Sequence, residues 1–254
     1  MCLILFGYAT EPGLPLVVAA NRDEFHARPA ATADFWSDFP QVLAGRDLQA
    51  GGTWLGCTRQ GRFAALTNFS DPSDPAKPRS RGTLVQDFLT TNGRALDYAN
   101  NIALAEFAGF NLLVFDGENL VYVSNRTGVV EALKPGYYGL SNAELGATWP
   151  KCVRGAAQLQ KLKESEATHD AYVALMADQA VPSDDELPAR GRDIEFERRV
   201  APCFILGDEY GTRASSVLTI SRNTINFTEQ SYVAGGKATE QVAYNFEYST
   251  EEIC

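Results

Sequence analysis

Only two histidines, His26 and His169, occur in the 254 residues. A Ser-His-Asp triad or a histidine-rich metal site therefore has little to be built from, and no metal is expected. The five cysteines, Cys2, Cys57, Cys152, Cys203 and Cys254, are an odd number, lie far apart and form no CxxC pair. A disulfide framework and a zinc motif are both excluded by that spacing, so buried reduced thiols are expected, with Cys254 as an exposed tail thiol. Positive charge is scarce too: 22 Lys+Arg face 32 Asp+Glu, a net charge of -10. Nucleic acid and anionic membrane need clustered positive charge, so neither is an expected partner. No apolar run approaches the ~18 residues of a membrane span, and no stable membrane insertion is expected. The apolar opening Met1-Cys2-Leu3-Ile4-Leu5-Phe6 is too short for a signal sequence and lacks a basic start. The cytoplasm is the expected location.

What is present is β-rich. Residues 3–8 and 16–21 are short β-forming runs around Glu11-Pro12-Gly13 and predict a hairpin, as do 53–58 and 62–69 around Gln60-Gly61. Residues 71–81 are rich in proline, serine and charge and read as a loop. Leu84, Val85, Phe88 and Leu89 share one helical face, which predicts a helix over 83–91, and a second helix follows over 94–105. Strands are expected at 110–115, 120–124, 129–133 and 137–140. Thr148 can cap a helix that carries Pro150 in its first turn. Another helix starts near His169, and 181–199, polar and proline-containing, reads as a linker or mobile loop. Strands complete residues 203–248. Strands, two helices, strands, two helices, strands suit two antiparallel sheets with helices outside, in one domain over residues 1–254.

Cys2 follows the initiator Met. Removal of Met1 would leave a residue carrying both a thiol and a free α-amine. That amine titrates near ~7.7–8.0, so at neutral pH part of it is an uncharged base beside the nucleophile. It can take the thiol proton and return it to a leaving amine, with no histidine involved. An incidental cysteine near the chain start is the alternative. Asn21-Arg22-Asp23-Glu24 ends the apolar run 16–20. Four polar residues at a strand end commonly form a solvated turn. Beside a terminal cysteine, however, the guanidinium would lower the thiol pKa, and the carboxylate would anchor the amine or orient the arginine.

Met1-Cys2, Ala19-Ala20-Asn21-Arg22-Asp23-Glu24-Phe25, Arg28-Pro29, Gly51-Gly52-Thr53-Trp54-Leu55-Gly56, Ala65-Leu66-Thr67-Asn68, Gly139-Leu140-Ser141-Asn142 and Tyr210-Gly211-Thr212-Arg213 run in order along the chain. Together they resemble the NRDE family, the transport and Golgi organisation proteins. That family is similar to N-terminal-nucleophile (Ntn) hydrolases such as penicillin V acylases and bile salt hydrolases. The resemblance implies an α+β, four-layer αββα sandwich with two antiparallel sheets between helical layers. It implies Cys2 as nucleophile, Arg22 and Asp23 as its tuning pair, and Asn68 and Asn142 as oxyanion donors. Arg213, Asn21 and Trp54 would contact substrate. Asparagine in turns is common for backbone reasons, so neither Asn68 nor Asn142 carries that role by itself.

Two functions follow from the resemblance. One is hydrolysis of a linear amide or related acyl bond in a lipophilic small molecule, for which no cofactor is required. The other is a non-catalytic carrier of haem or lipid in the same pocket, with haem as cargo. The sequence marks no haem site: CxxCH is missing, and His26, Cys2, Met176 or a tyrosine would have to serve as a weak ligand. The hydrolase reading requires that Met1 is removed. Intact mass and N-terminal sequencing of the natively expressed chain should find it starting at Cys2; a chain that keeps Met1 has no free α-amine there.

Overall fold

The computed structural model describes residues 2–248 apart from 72, 74, 76, 166 and 189; Met1 and Cys254 lie outside the described residues. The first hairpin is longer than the apolar runs suggest. β1 spans Cys2–Glu11 and β2 spans Leu14–Phe25. The Asn21–Glu24 motif is thus inside a strand rather than in a turn after it. Next come β3 (Ala30–Phe35), β4 (Val42–Asp47), β5 (Leu55–Thr58) and β6 (Phe63–Asn68). Helices α1 (Gly82–Leu89) and α2 (Ala95–Asn100) precede β7 (Phe110–Phe115), β8 (Leu120–Ser124), β9 (Val129–Ala132) and β10 (Gly136–Leu140). Then follow α3 (Pro150–Glu164), α4 (His169–Met176), α5 (Ile194–Val200), and the strands β11 (Tyr210–Ile220), β12 (Thr224–Val233) and β13 (Lys237–Glu247).

The strands form two antiparallel sheets, one ordered β10-β1-β2-β11-β12-β13 and the other β3-β4-β5-β6-β7-β8-β9. Alternation along each strand sends its residues to opposite faces. Ile4, Phe6, Val18, Leu218 and Phe227 from the first sheet meet Leu43, Phe63, Leu113 and Phe115 from the second in a fully buried layer between the sheets. Burying each such side chain contributes about 1.5–3 kcal/mol. Leu3, Leu5, Val17 and Ala19 face outward onto Leu159 of α3 and Met176 of α4. On the other side, Leu84, Val85, Phe88 and Leu89 of α1 pack on Ala64, Leu112 and Val114. The layers are therefore helix, sheet, sheet, helix: the expected αββα sandwich.

Some local expectations change. Thr148 does not cap α3; Trp149 takes that position without a side-chain cap, and Pro150 opens the helix. The 181–199 segment is not all loop. Ser183 and Glu186 form a capping box on a 3-10 turn, and Asp193 caps α5. His169 opens α4 half-buried, its ring nitrogens 3.2 Å from the hydroxyls of Thr219 and Thr228.

α3 lies directly on β10 at Gly139, where a Cβ would come within 2.4 Å of the Cys152 carbonyl oxygen and 2.6 Å of its Cα. Both obstacles are backbone, so the helix itself would have to move. Gly139→Ala should destabilise the chain by about 1–3 kcal/mol in urea unfolding; an unchanged midpoint would mean that α3 can lift off the sheet freely.

Candidate active site

β1 and β2 set the surroundings of Cys2 through their register. Cys2 pairs directly with Arg22, and Arg22 in turn faces Ala214 of β11. The ladder slips between Thr212 and Ala214, so Arg213 is the extra residue of a bulge. A bulge re-aims a side chain, and here Arg213 joins Arg22 on the wall of one cavity. That cavity, of about 280 Å³, opens between the sheets and is lined by Cys2, Arg22, Asp23, Trp54, Asn68 and Arg213 among others. Six of the eight residues expected to act on substrate thus meet in one place.

The other two lie elsewhere. Asn21 is one residue out of phase with Arg22 and faces the helices. Its amide donates 2.8 Å bonds to the carbonyls of Met176 and Cys203, and its oxygen accepts from Ser215 at 2.6 Å. Every site on its side chain is occupied within the protein, so it supports the strand rather than reaching a substrate. Asn142 is buried behind the cavity. Its Nδ2 donates to the Asn68 carbonyl at 2.7 Å, while Ser70 N–H donates to the Asn142 carbonyl at 2.8 Å. The Ser141 hydroxyl lies 2.9 Å from the Cys2 carbonyl and 3.1 Å from Asn142 Oδ1. Thr67 donates to the Ser141 carbonyl, and Asn111 donates to the Ala143 carbonyl at 2.9 Å. Ser141 and Asn142 therefore clasp β1 of one sheet to β6 of the other.

Three groups remain open. Among the described residues the Arg22 side chain forms no ion pair and no hydrogen bond, and the Asn68 side-chain amide forms no hydrogen bond. The third is the Cys2 thiol. Its pKa is raised overall: burial pushes it up and the like charge of Asp23 adds to that, while Arg22 and the Asp23 N–H act in the opposite direction. Asp23 is itself 2% exposed. Burial raises its carboxyl, against Lys151, a hydrogen bond from the Thr212 hydroxyl at 2.7 Å, and Arg22. Among the other buried thiols Cys57 has burial alone, while Lys151 acts against burial at Cys152 and Cys203. Burial drives Cys57 and Cys203 up to about 12 and Cys152 up to about 11.

Arginines dominate the rest of the wall. Arg28 pairs with Asp47 at 2.7 Å and Arg46 with Asp38 at 2.7 Å, while Arg81 donates to the Gly109 carbonyl. Arg213 donates 2.9 Å bonds to the carbonyls of Phe25 and Arg28, fixing the turn after β2. Apolar contact comes from Trp54, Leu66, Tyr232 and Val233. Of the expected haem ligands, Met176 is fully buried among the helices, and both ring nitrogens of His26 are shielded from solvent. Neither lines the cavity.

Sequence reasoning missed Glu229. It follows Ile225 and Phe227 at inward positions of β12, and a charge in that phase is the signal that marks it. Its carboxylate accepts from Ala33 N–H at 2.8 Å and from Ser216 at 3.1 Å, joining the two sheets at the cavity floor.

A four-layer αββα sandwich with a cysteine at the head of its first strand, opening on a cleft between the sheets, has the fold of the Ntn hydrolases. Solved structures agree. A Caenorhabditis elegans N-acylethanolamine-hydrolyzing acid amidase ortholog superposes with a TM-score of 0.51 at 13% identity, covering 86% of this chain and 92% of that one. The C2A mutant of the conjugated bile acid hydrolase from Clostridium perfringens gives 0.53 at 9% identity, covering 98% and 97%. The chain belongs to the Transport and Golgi organisation 2 family, whose pattern it matches over residues 1–234. The Bos taurus Transport and Golgi organization protein 2 homolog is 38% identical over 91% of this chain and 93% of its own length. The Drosophila melanogaster protein is 26% identical over 91% and 92%. Among the described residues no helix is long and apolar enough to cross a membrane.

Burial holds the Glu229 carboxyl above the usual carboxylate range, despite its two hydrogen bonds and Arg22. The folded chain therefore binds this proton more tightly than the unfolded chain does. The resulting stability is complete below the ordinary glutamate value of ~4.3 and is lost as pH rises through the folded value. Thermal midpoints measured against pH should show the native chain losing ground to Glu229→Gln from about pH 4.3 upward. Parallel curves would mean that Glu229 is ionised without penalty.

Proposed function

We propose that this chain is a cysteine-dependent Ntn hydrolase that cleaves an amide or related acyl bond. The observation that carries the reading is the convergence of the Cys2 thiol, the Asp23 carboxylate and the uncommitted Asn68 amide on one cavity. With Met1 removed, the α-amine of Cys2 takes the thiol proton as sulfur attacks the acyl carbonyl. The oxyanion accepts from Asn68. Collapse breaks the C–N bond, and the α-ammonium returns its proton to the leaving amine. Water then hydrolyses the acyl-thioester and restores the thiol. Asp23 anchors the α-amine, and Arg22 favours the thiolate.

The arginines of the wall refine the expected lipophilic substrate. Arg22 and Arg213 share a half-buried wall, and neither forms an ion pair among the described residues. A carboxylate or phosphate would relieve their repulsion. An apolar acyl group along Trp54, Leu66 and Val233, joined to an anionic group, suits both kinds of wall. Haem carriage has less support: of its expected ligands Cys2 and a tyrosine, Tyr232, line the cavity, whereas His26 and Met176 do not.

A screen of acyl amides and acyl thioesters, each with and without an anionic group, tests the reading. Cys2→Ala should abolish turnover. Asn68→Ala should lower kcat by about 10²–10³-fold. Arg22→Gln should narrow the preference for anionic over neutral substrates. Undiminished turnover in Cys2→Ala removes the hydrolase reading outright.

A further inference from the structure

The cavity is a trench rather than a round pocket. Cys2 lies opposite Arg22, Arg22 opposite Ala214, and Ala214 opposite Ser231 of β12. Thr239 of β13 follows, its hydroxyl donating to the Ser231 carbonyl at 3.1 Å. All of these residues line the one cavity. Residues directly opposite one another in a sheet share a face, and neighbouring strands lie ~4.8 Å apart. The trench therefore runs across the strands, and Ser231 stands about 14 Å from the position of Cys2. Small residues keep it open: Ala214 on this sheet, Ala31 and Gly45 on the facing one.

The two ends differ in chemistry. The thiol and the Asn68 amide mark the near end. Arg22, with Arg213 at the bulge beside Ala214, marks the middle. At the far end stands Glu229, two residues before Ser231 on the same face and 4% exposed. Ala33 N–H at 2.8 Å and the Ser216 hydroxyl at 3.1 Å hold it in place. No side chain at Gly45 covers it, since even a Cβ there would lie 3.9 Å from Glu229 Oε1. Burial holds this carboxyl above the usual carboxylate range, so it presents a proton rather than a charge. Ser231 is half-buried, and among the described residues its hydroxyl forms no hydrogen bond. An alkyl chain laid over this end would leave that hydroxyl unsatisfied, and an anion would face the acid.

We propose that the far end of the trench is a second subsite, in which Ser231 and Glu229 receive an uncharged hydrogen-bonding group, a hydroxyl or an amide, of an extended ligand whose reacting end lies at Cys2. This rests on the reading of Cys2 as the reacting end of the cavity. The ligand class it defines is long and narrow, with its polar group about 14 Å from the bond that is cleaved. Ser231 and Glu229 are then specificity-determining residues. They select among ligands by the end that does not react.

The test alkylates Cys2 at neutral pH with N-alkyl iodoacetamides whose tails end in methyl, hydroxyl or ammonium, read on the Cys2 peptide by mass spectrometry. At ~1.2 Å per bond of extended chain, a tail of about nine carbons reaches Ser231 and one of about three stops near Arg22. The ratio of rates, hydroxyl over methyl, cancels whatever acts on the thiol itself. For the long tail it should be about three- to tenfold, the net worth of one neutral hydrogen bond, and for the short tail near one. Ser231→Ala should bring the long-tail ratio towards one. A long-tail ratio at or below one in the unaltered chain overturns the proposal, and so does fastest labelling by the ammonium tail. A ratio that neither Ser231→Ala nor Glu229→Gln changes overturns it too. Should those variants not fold, the dependence on tail length in the unaltered chain decides. Failure of plain iodoacetamide to label Cys2 sinks the reading of Cys2 and the subsite with it; labelling without a hydroxyl preference sinks the subsite alone.

Discussion

The Ser141–Asn142 clasp is the constraint on which the site depends. Apolar burial between two sheets is strong, but it is non-directional and tolerates sliding. The Ser141 hydroxyl and the Asn142 side chain do not, because their partners are the carbonyls of Cys2 and Asn68, one in each sheet. Thr67, Asn111 and Tyr122 complete the clasp from below, the Tyr122 hydroxyl donating to Asn111 Oδ1 at 2.8 Å. A buried polar network with its members satisfied specifies a single arrangement. Here that arrangement is a thiol and a free amide at the two sides of one opening.

Much of the architecture was legible in the sequence because most strands carry clear alternation or continuous apolar runs. β7 and β8 have the expected limits, and α4 begins at His169 as its pattern predicts. The misses have a common cause. Asn21-Arg22-Asp23-Glu24 reads as a turn because polar residues crowd a strand end, yet β2 continues through them. One face of that stretch lines a cavity and the other meets hydrogen-bonding carbonyls, so polarity there reflects the site rather than solvent. β3 and β4 escaped because Ala30–Phe35 has few apolar residues of size and carries a bulge, and Val42–Asp47 is short. The Ala33 N–H at that bulge is satisfied by Glu229, almost two hundred residues away. No local pattern encodes such a bond. Asn142 illustrates the opposite case: the motif is found readily, but its place behind the cavity depends on a partner in the other sheet.

Charge in this chain is divided by location. The molecule as a whole carries -10, while its cleft gathers Arg22, Arg28, Arg46, Arg81 and Arg213. Two of these are matched by Asp47 and Asp38, and the bulge at Arg213 commits that side chain to carbonyls. Arg22 keeps its charge uncommitted. At long range the acidic exterior repels anions, and at short range a half-buried guanidinium attracts them. Such an arrangement favours ligands that are brought by apolar contact and then held by charge.

The topology also sets an order of events during synthesis. β1 is not an edge strand; it lies between β2 and β10, and β2 in turn pairs with β11. Cys2 therefore cannot be enclosed until residues near 140 and 214 have left the ribosome. Contacts so distant in sequence form late. Until then β1 has only its hairpin partner β2, and the start of the chain stays accessible along the edge that later takes β10. Once the sheet closes, that access ends. The long sequence separation between β1 and the strands β10 and β11 thus acts as a clock that delays the sealing of the Cys2 thiol inside the sandwich.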